Sequence, residues 1–403
     1  MKRSGPLAKI TVADFIARSG YQMGKTPVLP LFAASLGANT ALVGMIVSVS
    51  TLTGMCLKPL VGSLSDHWGR RGWLLAGTAF FAAAPFGYRW VQSPEQLLVM
   101  RLVHGLATAI YGPVTLALVA EWAGSRRAER LGWFGTARSG GYLVGPPVAA
   151  WLLSVMDPTQ VFTVIGLVSC LAFVPVALVI SHIRPVASRP GQGRLLAGSL
   201  LAATRSETLW QASAVEALVF TSLYSVKAFL PLFALAAGVH VVVVGLFFAI
   251  QEGAHLLVRP LGGRFGDRRG HRVAIAWGMG LVAVALALVP LGAGSVGLAL
   301  LAALMGAGQA FIFPSTLAVV AAGVDGRASG AAMGLFGTCR NAGKVCGPLL
   351  GGLCVHRLGF APMFYLASLV LVGGALAVTS GRWVRHHRPQ PDAYPAATGP
   401  QAP

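Results

Sequence analysis

The fold class this sequence predicts is an all-α membrane protein, with twelve transmembrane helices in two pseudo-symmetric six-helix halves. Three observations carry that prediction. The 403 residues are 55% hydrophobic and only 11% charged, with a mean hydropathy of +0.70. A soluble domain carries about 25% charged residues, so most of this chain has no place in water. Twelve stretches come close to the ~20 apolar residues that a bilayer-crossing helix needs. The second half of the chain also repeats the first at an offset of about 201 residues, and such a repeat is read before any other feature.

The spans fall at 10–35, 41–63, 73–93, 96–121, 131–154, 160–182, 210–237, 241–263, 273–292, 294–321, 329–355 and 360–381. The longest break, 183–209, holds Arg184, Pro185, Arg189, Pro190, Gly191 and Arg194. It divides an N-terminal half (1–182) from a C-terminal half (210–381) and reads as a cytoplasmic loop. The tail 382–403, rich in Pro, His and Arg, is expected to be disordered. The basic start (Lys2, Arg3, Lys9) has no small-residue cleavage site after it, so no cleavable signal peptide is expected.

Charge sets the topology. Lys and Arg number 31 against 12 Asp and Glu, for a net +19. Twenty of the 31 basic residues fall in the amino terminus, the even-to-odd loops and the tail, and on the opposite side only Arg89, at the outer end of the third span, and Arg357 are found. Cytoplasmic loops collect Lys and Arg, which places both termini in the cytoplasm and the chain in the cytoplasmic (inner) membrane. The charge is then explained without nucleic acid as a partner.

Residues of chemical interest follow in chain order. The first span carries Asp14, Arg18, Tyr21 and Lys25 at spacings of four, three and four, which is one helix face. Asp14 and Arg18 are spaced to neutralise each other. Lys25 lies about 10 Å deeper than Arg18 at 1.5 Å per residue, with no local acid. The 2–3 loop reads Gly62, Asp66, Gly69, Arg70, Arg71. The glycine is expected to allow close helix contact, and the aspartate to reach a helix amino terminus. The fourth span holds Arg101, His104, Gly105 and Pro113 and ends at Glu121; the fifth holds Arg138 and the bend Gly141, Gly145, Pro146. Glycines four apart share a face that permits near helix contact, and Pro146 removes a backbone hydrogen bond.

The second half repeats these features. Glu216 and Lys227 stand where Asp14 and Lys25 do, Arg340 matches Arg138, and Gly343, Gly347 and Pro348 match the bend. Gly263, Asp267, Gly270 and Arg272 repeat the loop, with His271 in place of Arg70. Glu252 lies deep in the eighth span, and Lys344 is four residues beyond Arg340. Lys58 and Arg259 are read as snorkelling near the basic end. Intramembrane charges cost on the order of 2.5–3.5 kcal/mol each and default to functional candidates. Asp14, Glu216 and Glu252 are the proton-site candidates, because burial and neighbouring cations move a carboxylate's proton affinity in opposite senses. Seven deep basics outnumber these three acids. The excess points to an anionic or zwitterionic solute, or else to internal neutralisation by these acids and by backbone carbonyls.

Two parallel six-helix repeats are a secondary-transporter layout with a midplane site. The G-x-x-x-D-x-x-G-R-R loop, its repeat, the Arg101–Gly105–Pro113 set, Pro27-Val28-Leu29-Pro30 and the Gly141–Pro146 bend resemble the major facilitator superfamily, in its twelve-span drug:proton antiporter branch. The resemblance implies that Asp66 faces the eleventh span, that a loop arginine pairs with Glu121, and that Arg101 is linked to proton handling. It implies a monomer that binds a small-molecule substrate and protons within a lipid bilayer.

The expected function is proton-coupled export by alternating access of a small organic anion or zwitterion, such as a carboxylate metal chelator, or of an amphipathic drug. Import of an organic anion, or a non-transporting membrane sensor, remains open. No nucleophile elbow, HExxH, P-loop or paired catalytic carboxylates occur, so no enzyme activity and no cofactor are expected. The five cysteines lie in apolar stretches without metal-ligand spacing, so no metal site is expected.

Overall fold

The computed structural model describes residues 4–183, 198, 200–292, 294–324 and 329–380. The tail expected at 382–403 and most of the central loop lie outside them; residues 200–204 are helical. Helix α1 (Ser4–Met23) continues through a π turn (Gly24–Val28) into α2 (Leu29–Ser35). Then come α3 (Thr40–Trp68), α4 (Arg70–Gly87), α5 (Pro94–Trp122) and α6 (Arg127–Leu153). The end-to-end pair α7 (Pro158–Cys170) and α8 (Phe173–Ile180) completes the first half. The second half runs α9 (Glu207–Ala236), α10 (Val241–Arg269), α11 (His271–Leu288), α12 (Ser295–Ala322), α13 (Ser329–Leu358) and α14 (Phe360–Thr379). Among the described residues there is no strand.

Local chemistry sets the helix ends. Asn39, Ser93 and Ser206 cap α3, α5 and α9 by accepting from the backbone N–H groups of Leu42, Gln96 and Leu209. Single glycines, Gly69 (φ +89°) and Gly270 (φ +96°), turn α3 into α4 and α10 into α11. These positions belong to the repeated loop signature, and glycine there supplies a backbone conformation that side chains disfavour. Among the described residues, eight rods are long and apolar enough to cross a membrane. α1, α6 and α13, which fall outside those eight, carry interior charges.

Within each half the first rod packs on the fifth (α1 on α6, α9 on α13) and the second on the fourth (α3 on α5, α10 on α12). The halves meet through α3 with α13 and α6 with α10. That contact is tightest where α3 and α10 begin. A Cβ on Gly44 would lie 2.1 Å from the Pro348 carbonyl oxygen, and one on Gly245 would lie 2.7 Å from that of Pro146. Ser48 Oγ donates to the Val345 carbonyl at 2.9 Å. At the other end, which bears Arg70, Arg71, Arg268 and Arg269, a Cβ on Gly132, Gly135, Gly334 or Gly337 would meet nothing within 4 Å. The halves are joined at one end, while at the basic end a cavity lies between Glu129, Gly132, Gly135 and Thr136 of α6 and Arg259 of α10.

Candidate substrate pathway

Each half holds a buried acid in its first rod, and the structure gives the two acids the same partners. Asp14 accepts from Arg138 Nε (2.9 Å) and Nη2 (2.8 Å) and from Thr115 Oγ1 (3.3 Å). Glu216 lies 3.2 Å from Arg340 Nε and accepts from Thr316 Oγ1 at 2.7 Å. The expected pairing of Asp14 with Arg18 is secondary: that approach is 3.8 Å, because Arg138 on α6 reaches the carboxylate in a two-bond fork. Sequence reasoning missed Thr115 and Thr316. Their signal was available, since both stand two residues after the repeated proline (Pro113, Pro314).

A cavity of about 240 Å³ lies between the halves. Its walls include Tyr142 from α6; Glu216, Phe220, Tyr224 and Lys227 from α9; Glu252, His255 and Arg259 from α10; and Arg340 and Lys344 from α13. Gln309 and Phe313 of α12 complete it. Arg259, expected to snorkel, lines this cavity instead. The Tyr224 ring is the centre of positive charge: Lys25, Lys227 and Lys344 ammonium nitrogens lie 5.1, 5.2 and 5.7 Å from its centroid, within cation–π range. Lys25 also donates to Thr51 at 2.9 Å. Among the described residues none of these three lysines has a carboxylate within ion-pair distance. Within ion-pair distance of Glu252, among the described residues, lies His255 alone, at 3.8 Å.

The remaining candidates fall elsewhere. Asp14, Arg18, Tyr21, Lys25, Arg101 and Arg138 are not among the cavity-lining residues; Lys25 reaches the Tyr224 ring from outside that wall. Arg101 is 1% exposed and donates to the Tyr88 hydroxyl at 3.1 Å and to Ser50, beside His104. This places it in a packed polar network behind α1, away from the cavity.

The parallel repeat of acid, threonine and arginine across two six-rod halves describes a pseudo-symmetric carrier, and the sequence profile of the Major Facilitator Superfamily matches at residues 15–253 and 212–400. The chain belongs to the major facilitator superfamily.

Its relatives include the multidrug resistance protein MdtG of Enterobacter lignolyticus, 26% identical over 87% of this chain and 86% of the relative. The quinolone resistance protein NorA of Staphylococcus aureus is 24% identical over 39% of this chain and 40% of its own. Among solved structures, the nucleoside transporter NupG superposes with a TM-score of 0.78 at 15% identity, over 93% of this chain and 98% of its own. A bacterial homologue of the lysosomal transporter Spinster, in an inward-facing unoccupied conformation, gives 0.77 at 14% identity, over 93% and 96%. These two likenesses show the fold.

In this major facilitator, Arg70 donates to Glu121 at 2.7 Å, while the Asp66 side chain lies outside the described residues. In the second copy Asp267 is 3.9 Å from His271. Arg272 donates to the Val378 and Ser380 carbonyls at 3.0 and 2.9 Å, and so caps the end of α14. Gly62 does not make the close helix contact expected of it: a Cβ there would meet nothing within 4 Å, and Gly263 would meet only Pro314 Cβ at 3.9 Å. The close approach belongs to its neighbour Gly262, 2.1 Å from the Ala310 carbonyl oxygen. The bend glycines pack inside each half, Gly141 and Gly145 on α1, Gly343 and Gly347 on α9. The proline carbonyls face Gly44 and Gly245 of the opposite half.

Proposed function

We propose that this facilitator is a proton-driven exporter, working by alternating access, of a small organic solute that carries at least one anionic group. The observation behind this reading is the inter-half cavity, where lysines without carboxylate partners share one aromatic ring and two carboxylates, Glu216 and Glu252, line the same space. A low-dielectric pocket with that excess favours anionic groups. The drug-resistance relatives support the export direction. We take the basic end as cytoplasmic by the positive-inside rule, so the captured state is open inward in a monomer of the cytoplasmic membrane. Proton exchange is assigned to Glu216 and Glu252. Asp14 drops out because Arg138 and Thr115 hold it off the cavity.

Everted membrane vesicles with an acidified lumen and a pH-sensitive dye test the reading. Amphipathic cations, carboxylate chelators and small organic acids are added in turn. The expected result is lumen alkalinisation with a solute that carries an acidic group, lost in Glu216→Gln/Glu252→Gln. Solute-driven alkalinisation that survives in the double variant refutes the carboxylate assignment. Alkalinisation with bare cations alone refutes the substrate polarity.

A further inference from the structure

We infer that the transported solute is amphoteric: its acidic group binds Lys227 and Lys344, with Lys25 behind the Tyr224 ring adding to the positive field, and its amine binds Glu252. The inference rests on the exporter reading and is forced by the sign of the coupling. Where a carboxylate in the cavity carries the proton, a purely anionic solute raises that carboxylate's proton affinity. By reciprocity the proton then strengthens solute binding by the same factor. Anion and proton would cross together, which is import down the proton gradient. Proton-carrying lysines give the same sign, because a charged ammonium binds the anion better. Exchange requires a solute group that excludes the proton, and a cationic amine placed on a carboxylate does so.

The cavity offers both poles. Around Tyr224 stand three ammoniums with no carboxylate within ion-pair distance among the described residues, Lys227 and Lys344 on the cavity wall and Lys25 behind it. Glu216 is already engaged by Arg340 and Thr316, whereas Glu252 has no lysine or arginine within ion-pair distance among the described residues. The charged and titratable groups that face Glu252 are His255 on its own helix, Lys227 and Tyr224 from α9, and Tyr142 from α6. His255 is 9% exposed and lines the cavity, yet neither ring nitrogen has a hydrogen-bond partner. A buried unmatched imidazole of this kind is costly unless a ligand or water satisfies it, and it adjoins the Glu252 pole. Between the poles lie Phe220 and Phe313, stacked with centroids 5.1 Å apart and 13° between planes, which suits an unsaturated or aromatic body.

The test uses the purified full-length protein and three matched probes: 4-(aminomethyl)benzoate, 4-methylbenzoate and 4-methylbenzylamine. Titration calorimetry in two buffers of different ionisation enthalpy gives the affinity and the protons released or taken up. The amphoteric probe is expected to bind at least tenfold tighter than either single-charge probe and to release protons. The benzoate is expected to take protons up. Glu252→Gln abolishes proton release and removes the preference over 4-methylbenzoate, Glu252→Asp restores both, and Lys344→Met removes the preference over the amine. Equal or tighter binding of 4-methylbenzoate with proton uptake overturns both this inference and the exporter reading. Equal or tighter binding of the amine with proton release overturns this inference and the anionic polarity of the solute, and leaves proton-driven export standing. The absence of measurable millimolar binding by the amphoteric probe overturns this inference alone.

Discussion

Replacing Asp14 with Asn removes one charge from a buried site that contains two arginines. Asp14 is 1% exposed, and the Arg138 side chain is 26% exposed. Hydrogen bonds to charged groups contribute roughly 1.5–3 kcal/mol each, and removing one member of a buried pair costs roughly 3–5 kcal/mol. The lower end applies here because Arg138 keeps some access to water and Asn can still accept one bond. Asp14→Asn is therefore expected to cost about 3 kcal/mol. The related substitution Glu216→Gln is expected to cost less, about 1.5 kcal/mol, the low end for a hydrogen bond to a charged group, because Gln keeps an acceptor for Thr316. Arg340 touches Glu216 through a single 3.2 Å contact, is 37% exposed and faces the cavity. The two repeats thus share residues but not roles: one pair holds the bundle, and the other is open to exchange. Thermal unfolding in one detergent ranks the variants, and Asp14→Asn/Arg138→Gln should recover much of the loss, as expected when a double change removes both charges. Equal midpoint losses for Asp14→Asn and Glu216→Gln would refute this reasoning. A double variant no better than Asp14→Asn would refute it too.

Other perturbations separate packing from transport. Gly44→Val puts side-chain carbon against the Pro348 carbonyl and should prop open the joined end. In a cysteine-free background, labelling of Ser48→Cys by an impermeant maleimide from that side should rise severalfold, and unchanged labelling contradicts the seal. Arg101→Lys loses the fork that reaches Tyr88 and Ser50 and should lower the unfolding midpoint while leaving solute affinity within about twofold, since Arg101 lies off the cavity. An affinity loss larger than the stability loss would return Arg101 to the pathway. Glu121→Gln should change stability by less than about 1 kcal/mol, because Glu121 is 42% exposed and surface ion pairs contribute little; a larger loss in the unfolding midpoint counts against that.

Much of the pathway was legible as residues and little of it as contacts. The acid, arginine and bend positions recur at one offset, so Asp14 and Glu216, Arg138 and Arg340 could be matched by eye. Partner choice was not legible. Helix spacing favoured Arg18 for Asp14, yet α6 brings Arg138 to 2.8 Å. Gly62 looked like a packing glycine from its motif, while the close approach falls one residue earlier in the second copy, at Gly262. Glycines 44 and 245, which meet the proline carbonyls across the halves, stand in no motif. Periodicity reports which face of a helix a residue occupies, not which helix lies opposite.

Composition, span length and the internal repeat alone determined that this chain is a membrane bundle of two like halves, because hydrocarbon admits only long apolar helices and a repeat folds twice into the same unit. Charge counting alone indicated an interior richer in lysine and arginine than in acid. Only the tertiary structure decided how that charge is spent. It gathers Lys25, Lys227 and Lys344 from three rods of both halves around Tyr224, sets Glu252 in the cavity that Tyr224, Lys227 and Lys344 line, and retires Asp14 and Arg101 into packed networks. The physical reason is distance. Each ion pair or cation–π contact needs atoms within a few ångströms, and residues some 200 positions apart reach that range only when the two halves close on each other.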